Sequence, residues 1–419
     1  LTRRRIRDLR PVPNEPRGAS GSGRSSSREP KKTALKPNQP SIFETSNRAH
    51  NQMSEQLCRW GILGTAGIAR KNWLAIRNTG NGRVTAVASR DGDRAFRFID
   101  ECQREAPVDP RPHACEGYEA LLERDDVDAV YIPLPTGLRK EWVIRAAEAG
   151  KHVMCEKPCA ASAADLSEML AACNERNVQF MDGVMYMHSA RMPKVREALD
   201  DGESVGRIRR IASHFSFCAP EDFLAGNIRV SSALEPQGCL GDLGWYTIRF
   251  SLFVMNYALP VRVRGKILSE YGRPDSPESV PTEFSGELFF DGGVSAAFYN
   301  SFLTEHQQYA TVSGSKGCLT VADFVLPVCG NELAFTVENS VFAIRGCDFT
   351  MESHPQRHSV REYSHSHPSS QETNLFRNFG DLVLRGAPDR TWGEIALKTQ
   401  RVMDACLRSA REGGVEVEL

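Results

Sequence analysis

Arg59-Trp60-Gly61-Ile62-Leu63-Gly64-Thr65-Ala66-Gly67-Ile68-Ala69 is the stretch whose reading decides the fold. Its first half is short and apolar, the pattern of a buried strand. Its second half is built of small residues and opens a periodic run that reads as a helix to about Asn78. A strand that turns through glycine into a helix presents unpaired N–H groups beyond the strand end, and such a place attracts phosphate. Gly64 allows the tight turn. Ala66 stands where a second glycine is usual, yet it is small enough for a pyrophosphate to approach the backbone. Ala69 lets the helix pack closely on the strand. Thr65, Gly67 and Ile68 complete the cradle.

Downstream of this turn, strands and helices alternate. A strand over Arg83–Ala88 ends at Ser89-Arg90. Another over Val127–Ile132 closes at Pro133-Leu134-Pro135-Thr136. A helix covers about Arg139 to Ala149, Lys151–Cys155 is a strand, a helix runs from about Ser162 to Glu175, and Val178–Val184 is a further strand. Repeats of this length predict a parallel doubly wound sheet, a Rossmann dinucleotide-binding domain over residues 53–184. Its carboxyl edge collects Gly64–Ala69, Ser89-Arg90, Pro133–Thr136 and Glu156-Lys157, so Pro133, Leu134, Pro135, Glu156 and Lys157 join the turn as cofactor contacts. NAD-selective folds usually close the second strand with an acid. Here a hydroxyl and a guanidinium stand there, the chemistry of a 2′-phosphate site, which predicts NADP. Asp91 follows at once and keeps NAD as the alternative.

Val153-Met154-Cys155-Glu156-Lys157-Pro158 ends one of these strands. Pro158 stops the strand and sets the exit. Lys157 is thereby held at the edge where open α/β sheets bind ligands. The plainer alternative for such a residue is a solvated lysine after a strand.

Upstream lies a different composition. Residues 1–52 hold twelve basic and four acidic residues, a balance of +8, which leaves −9 on the remainder of a chain with net charge −1. This arm is rich in Arg, Ser, Pro and Gly, and disorder is expected. Arg3-Arg4-Arg5 is followed by no apolar export core, so export is rejected. Met53 is the expected native start. The near-zero net charge gives no reason to expect nucleic acid, and no run approaches a membrane span. Twelve scattered cysteines, without a CxxC pair, read as free thiols in a reducing cytoplasm.

Beyond residue 184 the pattern changes to strands at Ile208–Phe217, Val261–Leu268, Glu283–Phe290, Val294–Phe302, Tyr309–Ser313 and Cys318–Val321, with glycine-rich hairpin signals between some of them. A C-terminal α+β domain with a large, mostly antiparallel sheet is expected over 185–419. Gly238–Tyr246 leads into a helix to about Met255. Asp242 and Tyr246 are four apart and share a helical face. Taken alone, that spacing suits a helix cap and a core tyrosine. Four histidines fall at His354, His358, His365 and His367. Pro355 and the serine content favour a loop there, and no metal is expected. An amphipathic helix over about Trp392–Ala410 ends the chain.

Residues 54–415 resemble the glucose–fructose oxidoreductase / inositol dehydrogenase / rhizopine-catabolism (Gfo/Idh/MocA) oxidoreductases. The resemblance is carried by Trp60–Ala66, Ala146–Val153 and Cys155-Glu156-Lys157-Pro158. It implies an active site in which Asp242 and Tyr246 join Lys157, in the tyrosine version of the glucose–fructose oxidoreductase and dihydrodiol dehydrogenase branches. It also implies a homodimer or homotetramer through the C-terminal sheet. One departure is Thr136 and Arg139, where members often carry Asn and His. Asp222-Phe223-Leu224 with Asn227-Ile228-Arg229, and Met181–His188, look closer still to a plant and bacterial subgroup, and His188 and Arg229 are expected at the substrate.

The function expected from these residues is hydride transfer between NADP and a secondary alcohol or carbonyl of a sugar, polyol or cyclic diol. Tyr246 serves as acid/base, Lys157 lowers its pKa, and Asp242 orients the substrate or Lys157. A catalytically silent NAD(P)-binding sensor or repressor is the competing class, and NAD-assisted glycoside cleavage is a third. Retention of Lys157, Asp242 and Tyr246 argues against a sensor, which needs no proton relay.

Overall fold

The computed structural model describes residues 56–419. The basic arm and the expected start at Met53 lie outside the described residues. Six strands form the first sheet: β1 (Cys58–Leu63), β2 (Gly82–Ser89), β3 (His113–Glu116), β4 (Ala129–Ile132), β5 (His152–Cys155) and β6 (Phe180–Asp182). They lie in the order β3-β2-β1-β4-β5-β6, and every pairing is parallel. The helices between them are α1 (Gly67–Arg77), α2 (Gly92–Glu105), α3 (Tyr118–Leu122), α4 (Thr136–Glu148) and α5 (Ala163–Glu175). This is the doubly wound arrangement expected, with the strand order reversing between β1 and β4. Such a switch point opens a crevice at the carboxyl edge. Strand β3, short and mostly exposed, and helices α2 and α3 are additions to the sequence reading, although α2 carries a clear apolar stripe through Ala95, Phe98, Ile99 and Cys102.

The second sheet has nine strands, β16-β13-β12-β11-β7-β10-β9-β8-β17. In chain order these are β7 (Ile208–Cys218), β8 (Arg262–Tyr271), β9 (Val280–Phe289), β10 (Ser295–Ser301), β11 (Leu303–Gly314), β12 (Cys318–Val321), β13 (Leu333–Glu338), β16 (Pro355–Val360) and β17 (Val417–Glu418). Only β7 and β10 pair in parallel. A separate hairpin, β14 (Val341–Arg345) with β15 (Asp348–Glu352), extends between β13 and β16. The loop expected around His354 and His358 is therefore wrong in part. Pro355–Val360 pairs with β13, and His358 stacks on Phe335 across the ladder. Pro355 sits at the first position of an edge strand, where its missing N–H costs nothing.

The remaining helices are α6 (Arg191–Asp200), α7 (Glu221–Gly226), α8 (Trp245–Val254), α9 (Gln371–Arg385) and α10 (Thr391–Arg411). Helix α9 comes from the distal half of the chain, yet it covers the first sheet. Phe376 and Phe379 pack on Trp60 of β1 at 5.2 and 5.0 Å. Ser370 caps its start and Gly386 ends it in the left-handed conformation.

The two sheets are also tied through a buried ion pair. Arg249 of α8 donates to Asp182 at the end of β6, at 2.6 Å, and Trp245 Nε1 donates to the same carboxylate at 3.0 Å. Both charged side chains are at most 1% exposed. Removing one partner strands the other charge in the core, which typically costs about 3–5 kcal/mol. Arg249→Met is therefore expected to lower the free energy of unfolding by about that amount, read from the midpoint and slope of urea denaturation.

Candidate active site

Lys157 leaves the end of β5 and reaches across to the second half of the chain. Its Nζ donates to the Asp242 side chain at 2.7 Å and to the Asp242 carbonyl at 2.8 Å. Arg229 Nε donates to the other carboxylate oxygen at 2.8 Å. The Asp242 carboxyl is thus clamped between two cations. Burial pushes its pKa up, but Lys157 and Arg229 outweigh burial and hold it at about 2. Asp242 therefore stays ionised throughout the range in which proteins work.

Tyr246 lies one turn further along. Its ring sits under the Lys157 ammonium, 4.7 Å from Nζ to the centroid, a cation–π contact. The expectation that Lys157 acidifies Tyr246 fails. Burial, reinforced by the Glu156 and Asp242 carboxylates, pushes the phenol well above its ordinary range, and Arg229 opposes this only in part. The ammonium is bonded to Asp242 and lies over the ring face. Tyr246 is a neutral phenol in this setting.

Backbone geometry puts these groups together. Leu240–Gly244 is a π-helical turn that runs straight into α8. Such turns recur at functional sites because the extra residue re-aims side chains. Gly241 makes the close approach feasible. A Cβ there would stand 3.0 Å from Gln237 Cβ and 3.3 Å from Pro158 Cγ. The segment bearing Asp242 thus lies against the residue after Lys157.

On the other side, Glu156 is fixed by groups absent from the sequence reading. Its Oε1 accepts from the Tyr131 hydroxyl at 2.6 Å, and Asn72 Nδ2 donates to that hydroxyl at 2.6 Å. Tyr131 and Asn72 are both buried. A signal for each exists. Tyr131 is a lone hydroxyl in an aliphatic strand, and Asn72 interrupts the buried stripe Ala69–Ile76 of α1. A buried polar group needs a partner.

A cavity of about 380 Å³ joins these groups to the first sheet. Ala66, Gly67, Ile68, Pro133, Leu134, Glu156, Lys157, Arg229, Asp242 and Tyr246 are on its wall. Gly64, with φ +107°, makes the turn beside it, and Thr65 and Ala69 flank the lining residues. Ala66 supplies no side-chain cap to α1, so the Gly67 and Ile68 N–H groups are left for a ligand, while the Ala69 N–H donates to the Ala66 carbonyl. These features fit a dinucleotide pyrophosphate. Pro135 precedes α4, at whose start Glu235 intervenes by accepting from Thr136 N at 3.1 Å. Glu235 carries no sequence signal, since its partner is 99 residues away.

Ser89 and Arg90 lie at the end of β2. Ser89 is buried and Arg90 exposed. Asp91 is committed elsewhere, because its carboxylate caps α2 by accepting from Asp93 N at 2.9 Å and Arg94 N at 3.3 Å. Both Arg90 and Arg94 act on the Tyr118 phenol, so two guanidinium groups share this strand end.

His188 is a correction. It is absent from the cavity wall, stacks on Trp392 at 4.6 Å and pairs with Asn378. Burial lowers its pKa to about 3, so it is a neutral core imidazole. Arg139, at the departing position, lies in the first turn of α4 and on the cavity wall, with its guanidinium bonded to the protein's own backbone. It is 5% exposed and donates to the carbonyls of Leu134 and Pro158, tying two strand-end loops together.

Two family descriptions match the chain. "Oxidoreductase family, NAD-binding Rossmann fold" covers residues 58–184, and "GFO/IDH/MocA C-terminal domain" covers 192–320. A D-xylose 1-dehydrogenase (NADP(+)) from Haloferax volcanii is 31% identical over 86% of this chain and 99% of its own. The mouse trans-1,2-dihydrobenzene-1,2-diol dehydrogenase is 28% identical over 63% of this chain and 76% of its own. Among solved structures, the 3-ketoreductase KijD10 from Actinomadura kijaniata, in complex with NADP and TDP-benzene, superposes with a TM-score of 0.69. It is 28% identical and covers 85% of this chain and 98% of its own.

The Arg139 tie has a measurable weight. Arg139→Met leaves the Leu134 carbonyl without its donor and the Pro158 carbonyl with only the long Thr136 hydroxyl contact at 3.5 Å, and a buried acceptor so stranded costs about 1–3 kcal/mol. A downward shift of the urea midpoint worth about 2 kcal/mol is expected.

Proposed function

Because the chain belongs to the Gfo/Idh/MocA oxidoreductase family, we propose that it is an NADP-dependent oxidoreductase acting on a secondary alcohol or carbonyl of a sugar, polyol or cyclic diol. The observation that carries this reading is the junction of Lys157, Asp242 and Tyr246 in one cavity with the uncapped start of α1. In this reading residues 53–184 form the nucleotide unit and 185–419 the substrate and oligomerisation unit.

Gly64–Ala69 would hold the pyrophosphate, Pro133–Pro135 and Glu156 would flank the nicotinamide, and Ser89 and Arg90, with Arg94, would take the 2′-phosphate. The NADP-linked relatives support that choice. When bound, the nicotinamide supplies or accepts a hydride at the carbinol carbon. Tyr246, neutral at working pH, donates a proton to the carbonyl oxygen in the direction of reduction. Lys157, held by Asp242, stabilises charge that develops on that oxygen. Arg229 directs the rest of its guanidinium toward the substrate. The protein is read as cytoplasmic, in keeping with its free thiols, and as a homodimer or homotetramer through the open face of the nine-stranded sheet, where Leu268 and Tyr309 are 48% and 40% exposed.

Tyr246→Phe should leave NADPH binding intact while turnover falls by about 10² to 10⁴; near-normal turnover would remove Tyr246 from this role. The raised phenol pKa sets the pH response of the wild type. Tyr246 stays protonated as pH rises through neutrality, so kcat for reduction should be flat from about pH 6 to 9, whereas oxidation, which needs that proton gone, should speed up with pH. Arg90→Ala should raise the Kd for NADPH by about tenfold and leave that for NADH nearly unchanged in fluorescence titrations.

A further inference from the structure

Lys157, Arg229, Asp242 and Tyr246 are a partition as well as a wall. The cavity described above lies on their side toward the first sheet. A second cavity, of about 410 Å³, adjoins it toward the nine-stranded sheet, and all four residues, together with Leu326, line both. The rest of its lining comprises Phe215 and Phe217 of β7, Phe223 of α7, Leu243, His306 of β11 and Val325.

The chemistry of this second bay is lopsided. Its charged groups sit at the partition, and Asp242, the only carboxylate on its wall among the described residues, is already bonded to Lys157 and Arg229. Away from the partition the wall is aromatic and aliphatic, with His306 the one polar side chain among the described residues. Phe217 and Phe223 meet edge to face at 5.6 Å and both pack on Phe302, at 5.2 and 5.4 Å, so their rings are held in place from behind. Phe215 stands edge-on to the Tyr246 ring at 5.6 Å. Leu326, 40% exposed, marks the mouth.

A free polyol carries hydroxyls on all sides. Those turned to the phenylalanines would give up water without gaining a partner, an unfavourable exchange. A molecule with a hydroxylated ring at one end and a flat apolar group at the other matches both ends of the bay. Aromatic groups also gain from edge-to-face contact with rings held rigid beforehand. The volume is within the range of about 300–1,000 Å³ typical of small-molecule pockets.

The geometry points to a substrate that is a hydroxylated ring bearing an aromatic substituent, an aryl glycoside in its simplest form, with the ring at the Lys157–Tyr246 partition and the aromatic group between Phe217, Phe223 and Leu326. This inference rests on the oxidoreductase reading and narrows its substrate class.

The test is calorimetric titration of the NADPH-saturated enzyme with phenyl and methyl β-D-glucopyranoside, then with phenyl and methyl β-D-xylopyranoside. NADPH binding is measured first and reports on the oxidoreductase reading alone. A phenyl glycoside should bind at least about tenfold more tightly than its methyl counterpart, as burial of one phenyl group implies. In Phe223→Ala, and separately in the mouth variant Leu326→Ser, that ratio should fall at least threefold. Leu326 is exposed, so its replacement leaves the core untouched if Phe223→Ala should misfold. Equal affinities, a preference for the methyl compounds, no binding of either phenyl glycoside, or a ratio that both variants leave unchanged would overturn the aromatic bay. Failure to bind NADPH would overturn the parent reading instead.

Discussion

The ion pair between Lys157 and Asp242 is the constraint on which the site depends. One partner ends a strand of the first sheet, the other sits in the π-helical turn ahead of α8, and 85 residues separate them. Both are largely withdrawn from water, with side chains 10% and 13% exposed. A buried pair is a poor source of stability, because desolvation cancels much of the attraction. It is an effective device for position. The lysine donates to both the side chain and the carbonyl of one residue, so its ammonium has little freedom left, and it comes to rest over the Tyr246 ring. Arg229 completes the charge balance and leaves Asp242 ionised.

Everything near this pair serves to hold its ends still. On the first sheet, Tyr131 and Asn72 lock Glu156 beside Lys157, while Arg139 fastens the Pro158 carbonyl to the loop after β4. On the second, Asp182, Arg249 and Trp245 fix the start of α8 to the end of β6. Polar networks of this kind are costly unless every member is satisfied, and once satisfied they rigidify. The two cavities that meet at the pair therefore share one stiff wall. The electrostatics follow from the same burial. Asp242 is held down by two cations, and Tyr246 is held up by desolvation and two carboxylates. Neighbouring groups with oppositely displaced pKa values are the pattern by which acid/base roles are divided in enzymes.

How much of this could be read in advance depended on the range of the interactions. The turn Gly64–Ala69, the strand ends at Ser89, Pro133 and Glu156, and the helix caps are local features, and local sequence specifies them. Helix α9 carried a legible cap at Ser370 and an apolar stripe through Leu375, Phe376 and Phe379, yet it went unread, and its destination on Trp60 had no sequence mark. His188 read as a substrate ligand because the stretch Met181–His188 resembles a subgroup of the family. Its actual partners, Trp392 and Asn378, come from 190 residues or more away. Glu235 and Arg139 became visible only when the loops they join were brought side by side.

By itself, then, the sequence determined the doubly wound sheet, the glycine turn after β1 and the place of Lys157 at a strand end, while Asp242 and Tyr246 were joined to Lys157 by the family resemblance. Periodicity, glycine placement and strand-end chemistry are short-range properties, and a single chain carries them openly. Tertiary structure alone decided the protonation of Tyr246, the second bay and the burial of His188. Each of these depends on which side chains lie around a group in three dimensions, and desolvation and charge act through space, without regard to order along the chain.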